Sequence, residues 1–179
     1  VMEEYDEDLD QMLFYLPLAG SAFKKVYYDE NLQRAVSKFV APEDLIVPYY
    51  TTDLESCPRI THVIKMPENE VKKLQSIGFY RNVRVADGNS SSDTSGVKEE
   101  IERLEGMEPS YDTGEVSNLY EVHCNLDLEG FEDVNEDDEY TEVKLPYIVT
   151  IDSNSENILA IRRNFEEDDP MKNKIEYFV

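Results

Sequence analysis

The chain has 179 residues, with 17 lysines and arginines against 40 aspartates and glutamates, a formal net charge of −23. Gripping nucleic-acid phosphates or an anionic membrane surface takes a basic footprint, so this balance excludes both. Hydrophobic residues at 40% and aromatics at 11% suffice for a core, which argues against disorder throughout; the length suits one domain burying roughly 70% of its unfolded surface.

Residues 3–16 read as a helix, because Tyr5, Leu9, Met12, Leu13 and Leu16 fall on one stripe and acids fill the first turns. Pro17 and Gly20 are expected to stop it and the stripe to be buried. Alternation then begins, with Phe23, Lys25 and Tyr27 on one face, and Asp29-Glu30-Asn31 turns the chain into a partner strand over 34–40. Residues 45–47 and 60–66 are short strands closed by Pro48 and Pro67. Pro67 opens a helix continued by Val71, Leu74 and Ile77 and ended by Gly78. A flexible loop over 87–96 leads to a charged helix carrying Val97, Ile101 and Leu104. Over 120–129, Tyr120, Val122, Cys124, Leu126 and Leu128 alternate with Glu121, His123, Asn125, Asp127 and Glu129, so the apolar set is expected inside and the polar set in water. An acidic loop over 129–142 precedes strands at 143–151 and 158–162, joined by a turn at 152–155. The predicted fold is α+β, an antiparallel sheet with an N-terminal helix and two short additional helices, in one domain over 1–179.

The charge is clustered. Residues 3–10 hold six acids, 127–142 nine and 166–169 four, together 19 of the 40. Against them stands a basic band of Arg59, Lys65, Lys72, Lys73, Arg81 and Arg84. One reading is solvated surface; the other is complementarity between copies of the chain, with the band as a candidate subunit interface.

Motifs for chemistry are missing. With 7 glycines, neither a dinucleotide-binding nor a P-loop pattern occurs, and there is no nucleophile elbow. His62 and His123 lie outside any metal-binding spacing; His123 and Cys124 point to opposite faces of a strand, and His62 reads as a strand-surface or core-edge histidine. The run from Asp133 to Asp138 starts like a calcium loop but has Asp138 where glycine is needed and Lys144 where glutamate is needed. No catalytic residue, metal or cofactor is expected. Cys57 and Cys124 read as small buried hydrophobes in a reducing compartment. The longest apolar runs fall far short of the ~20 residues that span a bilayer, so no membrane association is expected, and the opening Val1-Met2-Glu3-Glu4 carries acids where a secretory signal carries bases.

The stretch Leu13-Phe14-Tyr15-Leu16-Pro17-Leu18-Ala19-Gly20-Ser21-Ala22-Phe23 and onward to Asp29 resembles portal proteins of podovirus-like tailed bacteriophages. So do Phe39-Val40-Ala41-Pro42 through Pro48, Thr51 through Met66, Pro146 through Asp152, Ile158 through Asn164, and Glu176-Tyr177-Phe178-Val179; residues 83–118 and 130–142 match least. The resemblance implies a non-enzymatic structural subunit region, the wing, of a homo-oligomeric ring (typically a dodecamer) at a capsid vertex. Through such a ring the genome is packaged and ejected, with terminase, capsid and tail proteins as partners and DNA passing without specific binding. It further implies location in the virion, and in the host cytoplasm during assembly, and it suggests that the sequence is a fragment of a longer subunit. The alternative from another class is a stand-alone acidic DNA mimic that inhibits a host nucleic-acid enzyme. Such a mimic needs regularly spaced exposed carboxylates, whereas nearly half of the acids here sit in terminal or loop-like clusters.

Overall fold

A computed structural model of the chain describes residues 5–29, 33–85, 116–134 and 139–179. In chain order the described elements are α1 (Tyr5–Ala19), β1 (Phe23–Asp29), β2 (Arg34–Val40), a 3-10 turn (Pro42–Asp44), β3 (Leu45–Ile46), β4 (Arg59–Pro67), α2 (Glu68–Ser76), β5 (Val116–Leu126), β6 (Leu145–Asp152), β7 (Ile158–Arg163) and β8 (Tyr177–Phe178). The fold is α+β, but its strands form two antiparallel sheets rather than one: β2-β1-β8 and β3-β4-β5-β6-β7. The loop expected over 87–96 and the helix expected around Ile101 lie outside the described residues, as do 135–138 of the acidic loop. No helix among the described residues is long and apolar enough to cross a membrane.

The layers follow from which side chains share a face. Lys24 pairs with Phe39 on the outer face of the small sheet, and α1 lies there, with the Tyr5 ring 4.4 Å from the Lys24 ammonium and Tyr15 5.1 Å from Phe39. The opposite face carries Phe23, Lys25 and Tyr27 toward the large sheet, with Val40, Leu45, Cys57, Ile60 and Phe178 as the apolar seam between the two. Farther along the same face of the large sheet, α2 inserts Val71 into a cluster with Tyr80, Leu119, Leu159 and Ala160. Pro67 breaks the β4 ladder because it has no N–H to donate, and it caps α2 from outside the first turn rather than opening it from within. Gly78, at φ +80°, ends that helix with its N–H on the Gln75 carbonyl.

Two expectations are corrected. Pro17 does not stop α1, which runs on to Ala19; a proline so near the end forfeits a single backbone bond, and Gly20, at φ +78°, closes the helix with its N–H on the Leu16 carbonyl at 3.0 Å. Nor is the apolar stripe of α1 buried: no residue of the helix is, and Leu13 and Phe14 are 54% and 53% exposed. The half-buried side is Asp8, Leu9, Met12 and Tyr15, which shares only Leu9 and Met12 with the predicted stripe.

A third correction concerns β5, whose two faces are exchanged. Ser117, Leu119, Glu121 and His123 are buried, while Tyr120 is 37% exposed and Val122 and Cys124 are half-buried. Strict alternation identifies two faces but not which one is covered. Here the charged face is inside because the small sheet and a neighbouring strand bring compensating charge to it. Leu119→Ala is therefore expected to lower the unfolding free energy by about 3 kcal/mol, as for other fully buried leucines. Tyr120→Ala is expected to lower it by less than about 1 kcal/mol, and urea denaturation of the two variants checks the order.

Candidate functional site

Lys25 is the second inward residue of β1, between Phe23 and Tyr27 on the face that meets the large sheet. An ammonium so placed must find carboxylates, since burying an unpaired charge costs several kcal/mol. It finds two. Its Nζ lies 2.6 Å from Glu121 Oε1 on β5 and 3.1 Å from Glu176 Oε2, just before β8. Arg162 on β7 closes the ring of charge, 3.6 Å from Glu121 Oε2 and 3.3 Å from Glu176 Oε1, with its guanidinium stacked 5.0 Å from the Phe79 ring centre. Two cations and two carboxylates alternate, and the group is neutral.

Glu176 is held in place by Asn164, a buried residue just past β7. The Asn164 side chain donates to the Glu176 carbonyl (2.8 Å) and accepts from the Glu176 N–H (2.7 Å), and its main-chain carbonyl accepts from Ile175 N–H. One asparagine thus docks the last strand and aims its carboxylate. Phe178, two residues on, stacks edge-on against His123 at 4.9 Å and His62 at 5.8 Å, which seals the network on that side.

The histidines play different parts. His123 Nε2 lies 3.0 Å from Glu121 Oε1, and because an ionised carboxylate only accepts, this nitrogen carries the proton. His62 Nδ1 is 4.0 Å from the same oxygen, beyond hydrogen-bond range, and has no partner in the structure. Burial, which outweighs the pull of Glu121, depresses the His62 pKa to about 4, so the ring is neutral. Burial alone raises the carboxyl of Glu121, but the His123 hydrogen bond and the charge of Lys25 overcome it and hold the group below the usual carboxylate range. The ammonium of Lys25 loses to burial and gains more from Glu121 and Glu176, so its pKa is raised.

Glu121, His123 and Glu176 bring one ligand atom each within 4.8 Å of one another, a spacing that suits a metal. The centre of that triangle is already taken. Lys25 bonds both carboxylates, so a divalent ion there meets a fixed positive charge at contact distance. With Lys25, Arg162, Glu121 and Glu176 all paired, the cluster clamps the two sheets together.

The basic band is not drawn into one cluster. Arg59 and Lys65 stand near opposite ends of β4, roughly 20 Å apart at about 3.3 Å per residue. Lys65 reaches Asp44 at 3.8 Å, Lys72 pairs with Glu68 at 2.5 Å and Lys73 with Glu70 at 3.0 Å, while Arg81 and Arg84 are exposed on the segment after α2. Cys57 is buried and Cys124 half-buried, and neither is in a disulfide. His62 lies at the edge of the core, as the sequence suggests, and His123 and Cys124 point to opposite sheet faces. Sequence reasoning missed Lys25, Glu121, Arg162, Asn164 and Glu176. The available signal was Lys25 itself, a base on the same strand face as Phe23 and Tyr27.

Lys25→Met leaves Glu121 and Glu176 short of a cation and is expected to destabilise the fold by about 3–5 kcal/mol, whereas adding Glu121→Gln to it recovers at least half of that loss, since an apolar or neutral replacement of both partners avoids the bare charge. Denaturant titrations of the two variants check this. The pH dependence has a definite sign. Between the ordinary His62 value of 6.5 and the folded value of about 4, the unfolded chain takes up a proton that the folded chain refuses, so stability falls as pH drops through that window. At about 1.4 kcal/mol per pH unit this comes to about 3 kcal/mol. Below the ordinary carboxylate value of 4.5, the depressed Glu121 adds a further loss in the same direction. His62→Gln is expected to flatten the slope between pH 6.5 and 4 and to leave the steeper loss below it, which melting temperatures measured across that range test.

No protein-family model matches this chain, and comparison with curated proteins likewise finds no match.

Proposed function

We propose that this chain is an assembly module, the wing-like part of a phage portal subunit, which works by packing against neighbouring chains in a ring rather than by catalysis. The observation that carries the reading is α1. A helix of 15 residues is marginal in water unless tertiary packing supports it, and no residue of this one is buried. Leu13, Phe14, Leu16 and Leu18 all face outward from it, an apolar surface suited to another protein. The segment containing them is also the longest of the stretches that resemble portal proteins.

In a ring each copy uses two different patches, one for each neighbour. The basic band, Arg59, Lys65, Lys72, Lys73, Arg81 and Arg84, is a candidate for the second patch, opposite acidic surface on the next copy, although Lys72 and Lys73 also have glutamates within α2. A net charge of −23 suits a part that stands beside packed DNA and must not adsorb to it. The site of action follows from the same reading: the virion, and the host cytoplasm during assembly, with terminase, capsid and tail proteins as partners of the complete ring.

In the complete subunit, Leu13→Asp with Phe14→Asp is expected to abolish rings in native mass spectra while the circular-dichroism spectrum is retained. Lys72→Glu with Lys73→Glu is expected to weaken assembly less, because those lysines already have local partners. Intact rings in the first double variant would remove α1 as an interface and the reading with it.

A further inference from the structure

Between the loop 54–57 and the C-terminal segment 170–179 lies a cavity of about 850 Å³. Its volume falls within the range of small-molecule sites. The wall is the outer side of the apolar seam between the sheets: Leu54, Cys57, Ile60 and Phe178. His123 and Asn125 of β5 also line it, the asparagine as a neutral donor.

Charge at this cavity departs from that of the molecule. Lys144, Lys172 and Lys174 all line it. The Lys172 ammonium rests on the main-chain carbonyl of Glu167 at 2.7 Å and that of Lys174 on the carbonyl of Glu55 at 2.9 Å. A carbonyl orients an ammonium without cancelling its charge, in contrast to Lys72 and Lys73, which carboxylates neutralise. Three acids share the lining, Glu55, Asp133 and Glu176, but Glu176 is already neutralised by Lys25 and Arg162. Among the described side chains of the lining, three ammonium groups against two remaining carboxylates give 3 − 2 = +1, in a chain whose net charge is −23.

We propose that this cavity binds a small amphiphilic carboxylate, its apolar tail on Leu54, Ile60 and Phe178 and its single charge among Lys144, Lys172 and Lys174. An apolar wall with ammonium groups in its lining selects a monoanion that has a tail, and the excess of positive side chains disfavours the corresponding cation. The proposal is independent of the assembly reading and stands or falls by itself.

Octanoate is the probe, titrated into the intact chain at fixed ionic strength with methyl resonances as the readout. Saturable shifts at Leu54 and Ile60 are expected, with Kd of about 1 mM for a ligand of this size. Lys172→Glu with Lys174→Glu is expected to weaken octanoate about tenfold, the equivalent of 1.4 kcal/mol, and octylamine, equally apolar but cationic, is expected not to compete. Val143→Trp, a substitution at an exposed lining position that leaves the core intact, is expected to fill the mouth and remove binding. Absence of saturation, equal binding of octylamine, indifference to the charge reversal, or shifts confined to Leu13 and Leu18 of α1 would each overturn the proposal.

Discussion

The ammonium of Lys25 between Glu121 and Glu176 is the constraint on which the rest of the structure depends. A buried ion network adds little net stability compared with a well-packed apolar contact, because desolvation consumes most of what the charges return. What it supplies here is register. Shifting β5 by one residue would turn Glu121 and His123 to the other face and leave Lys25 with Glu176 alone, and shifting β8 would withdraw Glu176 and Phe178 together. Apolar side chains tolerate a range of packings; an ammonium at 2.6 Å from one carboxylate and 3.1 Å from another tolerates few. The small sheet therefore docks on the large one in a single arrangement, although their apolar seam consists of only a handful of side chains.

A cost attends that solution. With Lys25, Glu121, His123 and Arg162 filling the inner layer, less apolar material is needed there, and several large side chains are left outside: Tyr120 and Ile161 on the outer face of the large sheet, Leu13, Phe14 and Leu18 on α1, Tyr49 and Tyr50 on the loop after β3. Scattered exposed hydrophobes are ordinary, but a whole helix without one buried residue is not. The same economy thus links the inside to the outside: charge at the sheet junction fixes the fold, and apolar side chains are left on the surface.

How much of this the sequence reveals depends on the kind of signal. The hairpin of β1 and β2, the end of α2 at Gly78 and the β6–β7 pair were legible, because alternation, glycine and turn residues act locally. The faces of β5 were not. Its alternation is strict, yet hydrophobicity names the covered face only if nothing charged competes for it, and Glu121 competes through partners, Lys25 and Arg162, that lie 96 and 41 residues away. Asn164 was illegible for the same reason, since its whole role lies in backbone bonds to Glu176 twelve residues on. The stripe of α1 was misread by a different route: its period suits a helix, but the small sheet meets that helix through Lys24 and Phe39, so Asp8 and Tyr15 join Leu9 and Met12 on the half-buried side while Leu13 and Leu16 stay exposed.

The acids that make up the net charge show a related division of labour. Three in the described loops are turned back on their own main chain: Asp53 accepts from Ser56 N–H at 2.9 Å, Glu132 from Gly130 N–H at 2.8 Å, and Asp169 from Met171 and Asn173 N–H at 2.9 Å each. Those bonds hold all three carboxyls below their ordinary values, so they ionise readily where they serve as turn caps. A protein that imitates DNA needs carboxylates aimed at a partner in a regular row; carboxylates committed to closing turns are spaced by the turns, not by a partner. Glu121 and Glu176 are committed inward in the same way. For these five acids charge serves the fold first: their spacing is set by turns and by the sheet junction rather than by a partner surface.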